Sequence, residues 1–274
     1  MSDLNPRMVI SPADFADTGQ WRLIIYISGR GMKAFLKHTA DPARPLAEML
    51  STVWTDSDPA SLLRNIENAV YDHPGLLDDY ATEIILETPR ICFAPNEILD
   101  SAEASEDEIF NALFPGEDQE VLTDRLPDCT ALFTLTRGLE GFVSRTIPGS
   151  RIRSHLAVMA ERFRRQKATG PRVYVDIRDG EADILAFNDE TLLSASVQRW
   201  RTPEDIAYRI FNLLTAYDRQ PADTQVNLSG DRTTCEALTK ILQNFCQDVI
   251  PTTLPVSLGD DAALPLAALL QAFR

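Results

Sequence analysis

The chain of 274 residues is long enough for one large domain or two of ordinary size, and its 44% hydrophobic content supplies sizeable cores and excludes a disordered chain. Asp and Glu outnumber Lys and Arg by 41 to 26, a formal net charge of −15. A phosphate backbone would be repelled over most of such a surface, which argues against nucleic acid as a partner.

The first 20 residues carry Asn5-Pro6, Ser11-Pro12 and Thr18-Gly19 and read as an extended lead-in. Strand pattern begins at Trp21, breaks at Ser28-Gly29-Arg30-Gly31 and resumes as Met32 to His38, a hairpin. Leu46 to Trp54 fits either a helix or a third strand. Ser57-Asp58-Pro59 opens a helix with Leu62, Leu63, Ile66, Ala69 and Val70 on one face, stopped by His73-Pro74-Gly75. Thr82 to Glu87 then alternates like a strand. Ser101 to Asp107 reads as an exposed acidic connection, Glu108 to Phe114 as a short helix, Val121-Leu122 as the start of a strand and Cys129 to Thr136 as a clear one. Two helices follow, Arg137 to Arg145 and Ser154 to Lys167, the second with four cations near its C-terminus, where the helix dipole favours them.

From Arg172 the pattern is sharper. Val173, Val175 and Ile177 alternate with polar neighbours up to Asp179-Gly180, a strong hairpin signal. A second arm runs from Ala182 to Phe187 and a third from Leu192 towards Trp200. At Thr202-Pro203-Glu204-Asp205, Thr can cap a helix, Pro can take its first position and the acids face the positive dipole end. That helix carries Ile206, Ile210, Leu213, Leu214 and Tyr217 on one face. Gln225 to Ser229 reads as a buried strand, Gly230-Asp231 as a turn, and Thr233 or Thr234 as the cap of a helix bearing Leu238, Ile241, Leu242 and Phe245. The tail from Ala262 to Arg274 is a Leu/Ala helix expected to pack on the second half.

The two halves have the same order. The hairpin glycine precedes the helix proline by 28 positions in the first (31 to 59) and by 23 in the second (180 to 203). We therefore expect a structural duplication with a boundary near residue 148, giving lobes at 1–148 and 149–274. Cys92, Cys129, Cys235 and Cys246 are dispersed without a CxxC pair and read as free thiols, and His38, His73 and His155 have no paired metal spacing. No P-loop, G-x-S-x-G or H-E-x-x-H motif occurs. With no signal-like start and no apolar run of membrane-spanning length, a cytoplasmic protein is expected.

In YISGRGMKAFL, ILETPRICFAPNEIL and VYVDIRDGEADILAF through NLSGD, the chain resembles a family of uncharacterised bacterial proteins with the actin-like ATPase fold, a duplicated ribonuclease H-like architecture. The resemblance implies a two-lobed α/β protein with mixed sheets flanked by helices. In working members, two glycine-bearing hairpins and an acidic residue hold phosphates and Mg²⁺, and a glycine-rich turn holds adenosine. The matching positions are Gly29 and Gly31 in the first hairpin, Asp176 and Gly180 in the second, and Ser229-Gly230 at the adenosine turn. The first hairpin has Ile27-Ser28 where an Asp is needed, Arg178-Asp179 stand beside Gly180, and Asp231 adds negative charge. A degenerate nucleotide site on a non-catalytic, partner-binding protein is the expectation, with no cofactor and a protein partner of unknown identity. The alternative is a switch that closes on ATP and Mg²⁺. An open cleft containing Asp176 favours the switch; a cleft filled by Arg30, Arg178 or Asp179 does not.

Overall fold

The computed structural model describes residues 17–41, 46–56, 58–101, 104–116, 120–252 and 265–272. Each half opens on an antiparallel meander. In the first, β1 (Trp21–Ser28), β2 (Gly31–His38) and β3 (Ala47–Val53) are followed by α1 (Leu62–Tyr71) and β4 (Ala81–Glu87). In the second, β9 (Pro171–Arg178), β10 (Glu181–Asn188) and β11 (Thr191–Arg199) are followed by α6 (Pro203–Ala216) and β12 (Gln225–Gly230). The stretch from Leu46 to Trp54 is therefore a strand. Its short apolar run is paired along β2, and strand pairing settled what periodicity left open.

β4 and β12 return parallel to β1 and β9, and each sheet gains a fifth parallel strand, β8 (Arg151–Ser154) in the first and β13 (Asp248–Pro251) in the second. The strand orders are β3-β2-β1-β4-β8 and β11-β10-β9-β12-β13, the same topology twice. The first sheet thus takes in Arg151–Ser154, beyond the expected boundary near residue 148, and the second sheet opens at Pro171.

Between β4 and β8 the chain inserts a third, smaller sheet. β5 (Ile91–Pro95), β6 (Leu122–Arg125) and β7 (Cys129–Phe133) pair antiparallel in the order β5-β7-β6. They carry α2 (Asn96–Asp100), α3 (Glu106–Leu113) and α4 (Leu139–Thr146). Helix α3 starts two residues earlier than its apolar pattern suggested. Ser105 accepts from the Glu108 amide at 3.2 Å, while Glu108 accepts from the Ser105 amide at 2.8 Å, so this reciprocal cap recruits Glu106 and Asp107 into the first turn. A buried ion cluster ties the insert to the main sheet: Asp124 on β6 accepts from Arg153 Nε at 2.6 Å, and Arg153 also reaches Glu161 at 3.1 Å.

Helix α5 (His155–Arg164) sits where the halves meet. Seven of its ten residues are buried, and it packs against β4, β8, β10 and β11. Phe163 stacks on Tyr174 with ring centroids 3.8 Å apart, and Tyr174 meets Phe187 edge-on. One face of the second sheet thereby shares a continuous apolar core with the first half. Its other face, carrying Val173, Val175 and Ile177, packs on α6 and on α7 (Arg232–Leu242) through Ile206, Ile210, Leu238 and Leu242. The last helix, α8 (Leu266–Ala272), lies against α5 and β1, and Gln271 donates to Glu83. Its main partner, α5, lies within the expected second lobe, and it also reaches β1 of the first sheet, its buried leucines and alanines joining the core that the halves share. Among the described residues no helix is long and apolar enough to cross a membrane.

Candidate functional site

The β1–β2 and β9–β10 turns face each other across the halves. Both strands are eight residues long and end in two-residue turns, Ser28 pairing with Gly31 and Arg178 with Glu181. Matching the two turns places Tyr26 at the first-half position equivalent to Asp176. The residue missing from the first hairpin is therefore not replaced by Ile27 or Ser28 but by a tyrosine.

A tryptophan anchors each hairpin. Trp54 Nε1 donates to the Ser28 carbonyl at 3.0 Å and Trp200 Nε1 to the Arg178 carbonyl at 3.1 Å; their backbone amides close onto Arg30 and Gly180. These paired tethers are independent support for the duplication.

Side chains from both halves fill the space between the turns. Arg30 Nη2 donates to the Asp179 carbonyl at 2.6 Å, and Nη1 lies 3.3 Å from its carboxylate. This contact is at the rim, with Asp179 almost fully exposed. Beneath it, Arg178 pairs with Glu87 at the end of β4 and, at 2.5 Å, with Asp183 on β10. Glu87 also accepts from the Tyr26 hydroxyl. Asp183 lies 3.4 Å from His155 Nε2, whose Nδ1 is 3.1 Å from the Leu86 carbonyl oxygen. Tyr26, Glu87, Arg178, Asp183 and His155 thus form a chain of polar contacts from the first sheet, through the second, to the first turn of α5.

Asp176 lies beside this chain and is only 5% exposed. It stands directly opposite Asp183 across the β9–β10 ladder, and its Oδ1 is 2.8 Å from Ser229 Oγ. Burial, followed by the Asp183 charge, raises its carboxyl to about 6, against the opposing pull of Ser229 and Arg178. Burial would also raise Asp183, but His155 and Arg178 outweigh it and hold that carboxyl below its ordinary value. Burial, reinforced by Glu87, holds the Tyr26 hydroxyl neutral and available as a donor.

Two of the glycines have a packing reason to be glycine. A Cβ on Gly31 would lie 2.2 Å from the Thr52 carbonyl oxygen, and Gly230, at φ +96°, would put one 2.0 Å from that of Ile177. Both are set by the approach of a neighbouring strand. Gly180 takes the left-handed conformation of the Asp-Gly turn, while Gly29 borders open space. At the adenosine turn, the Asp231 amide donates to the Ile177 carbonyl, and its side chain caps α7 by accepting from the Thr234 amide at 2.8 Å. Asp231, rather than Thr233 or Thr234, is the cap because it is the last non-helical residue before the helix, which begins at Arg232.

The structure therefore brings together Asp176, Ser229 and Gly230, and sets the Gly29-Arg30 turn against the Asp179-Gly180 turn. Asp176 is buried beside a second acid, and the space between the hairpins is crossed by Arg178 with its own carboxylate partners, so a phosphate or metal entering there would meet a buried carboxylate and a guanidinium that is already paired. Among the described residues no group of three or more His, Cys, Asp or Glu side chains is arranged to hold a metal ion. Reasoning from the sequence passes over Tyr26, Glu87, His155 and Asp183. The signal for Asp183 was a charge in the middle of an apolar strand, and for Tyr26 the alignment of the two turns.

Comparison with solved structures places the fold. A protein with actin-like ATPase fold and unknown function from Bacteroides thetaiotaomicron superposes with a TM-score of 0.78 at 20% identity, covering 94% of this chain and 98% of that one. The ethanolamine utilization protein EutJ from Carboxydothermus hydrogenoformans (TM-score 0.49, 10% identity, 92% and 89% covered) and the PilM-PilN type IV pilus biogenesis complex (0.48, 10%, 94% and 100%) are more distant. No curated protein matches the chain. The two-lobed actin-like α/β fold is thus established, and the model of the family described as "Protein of unknown function (DUF3822)" matches residues 12–249, so the chain belongs to that family.

Proposed function

We propose that this protein is a non-catalytic member of the actin-like fold that acts by binding a protein partner, its inherited nucleotide cleft given over to holding the halves together. The observation that carries this reading is Arg178, whose guanidinium spans the space between the hairpins and pairs with Glu87 of one half and Asp183 of the other. A side chain so placed gives the cleft a structural role, because moving it would leave two largely buried carboxylates without their cation. Four free cysteines fit a reducing compartment, and we place the protein in the cytoplasm.

The competing reading is a switch binding ATP and Mg²⁺. It is favoured by Asp176, Ser229 and Gly230 standing together at the matching places. Thermal melting with and without millimolar ATP and Mg²⁺ separates the two. A ligand at 100 times its dissociation constant stabilises by about 2.7 kcal/mol, a rise of several degrees for a chain of this size. The scaffold reading expects no rise; a rise abolished by Asp176→Ala in a folded variant would establish the switch.

A further inference from the structure

The second hairpin borders a groove of about 490 Å³. Arg199, Trp200, Arg201, Asp205, Tyr208 and Arg209 line it, with Gly180 at one end. The three arginines are exposed in a chain of net charge −15; Arg201 and Arg209 act on the Asp205 carboxylate in the groove without a direct ion-pair contact among the described residues, and Arg199 has none there either. Tyr208 is 60% exposed, and Trp200 is fixed in place by its bond to the Arg178 carbonyl.

Comparison of the halves shows that the fold does not require these cations. Trp54 has the same tether as Trp200, but its flanking residues are Val53 and Thr55 where Trp200 has Arg199 and Arg201. Acids follow at Asp56 and Asp58. Arg199 and Arg201 thus have no counterpart beside Trp54.

The groove is not built for a compact anion. Asp205 accepts from the amides of Arg201 at 2.9 Å and Thr202 at 3.0 Å, Pro203 has no amide hydrogen, and the Asp205 amide donates to the Thr202 carbonyl. A phosphate would find no backbone cradle there. An extended chain with spaced carboxylates and an aromatic or apolar residue fits better: the arginines pair with the carboxylates, and the Trp200 and Tyr208 rings take the apolar part. Elsewhere the acidic surface repels such a segment, so the patch also selects its orientation. Resting on the partner-binding reading above, we propose that this groove docks an acidic, aromatic-containing peptide segment of a partner protein.

The test uses the full chain and a fluorescein-labelled dodecapeptide of Glu and Asp with central Phe and Tyr, followed by anisotropy at low salt. Saturable binding is expected, weakening as salt rises. The triple variant Arg199→Glu, Arg201→Glu, Arg209→Glu should bind about tenfold more weakly or worse, since exposed pairs contribute fractions of a kcal/mol each. Arg209→Glu alone replaces it if the triple variant does not melt like the native protein. Binding should also change the tryptophan emission, and Trp200→Phe should remove that change.

Absent binding, or binding that the substitutions leave unaltered, overturns the proposal. Displacement of the peptide by equimolar pyrophosphate, or tighter binding of single-stranded oligonucleotide than of the peptide, also overturns it, assigning the groove to a small anion or to nucleic acid. A groove that takes phosphate would let millimolar ATP raise the melting temperature too, but such a rise is abolished by the arginine substitutions and not by Asp176→Ala, so failure of the groove and failure of the scaffold reading are separately visible.

Discussion

Replacing Asp176 by Asn tests the electrostatics of the cleft. In the folded protein its carboxyl is raised from 3.8 to about 6, first by burial and then by Asp183 across the ladder. A group whose folded value is raised contributes fully below its unfolded value and loses that contribution as pH rises through the folded one. The native protein should therefore give up about 3 kcal/mol through this residue between about pH 4 and pH 7. Asn keeps an oxygen for the Ser229 hydroxyl and turns an amide towards Asp183, removing the repulsion. Urea unfolding of both proteins at acid and at mildly alkaline pH isolates the effect, because the other titrating groups cancel in the difference. The variant should be close to the native protein at the acid end and more stable by about 1 to 3 kcal/mol at the alkaline end. A difference independent of pH, or a variant less stable at alkaline pH, would refute the argument. The latter is the result expected if the ionised carboxylate holds a cation.

Other substitutions probe the same region. Arg178→Ala should cost about 3–5 kcal/mol in urea unfolding because it removes the cation shared by Glu87 and Asp183, leaving Tyr26 and His155 as their remaining partners, and adding Asp183→Asn should recover part of the loss. Full additivity of the two changes would show that the pair is not coupled. Gly230→Ala should lower stability by about 3 kcal/mol or more, since its Cβ would meet the Ile177 carbonyl at 2.0 Å in a left-handed backbone. Gly29→Ala, facing open space, should be close to neutral by the same assay.

The second half was the more readable because its punctuation agrees at every level. Asp179-Gly180 forms the hairpin turn, and Thr202-Pro203 with Asp205 opens α6 as the spacing requires. The less regular elements were settled by partners distant in sequence. β5 and β8 are short apolar or mixed runs whose strand character comes from pairing with β7 and β4, and β13 exists only along β12. The tail helix packs on α5 and β1, a choice between equivalent apolar faces that periodicity does not make. At the site, Asp176, Gly180, Ser229 and Gly230 were recognisable by place in the chain. Their partners were not: Glu87, Asp183 and His155 are contributed by three different elements, and only the fold shows that Arg178 lies between the first two.

Each half repeats the architecture while specialising the same positions. The equivalent sites hold Tyr26 in one half and Asp176 in the other, and the turns carry Gly29-Arg30 and Asp179-Gly180. The Arg30–Asp179 rim contact and the buried Arg178 pairings use these differences, joining the copies through residues that a symmetric pair of hairpins would not supply.

The most direct measurement is a crystal structure grown with a non-hydrolysable ATP analogue and Mg²⁺ in excess. The account predicts Arg178 between Glu87 and Asp183, Asp176 bonded to Ser229, and no nucleotide between the hairpins. An analogue seated there, with Arg178 turned out and a metal held through Asp176, would contradict it.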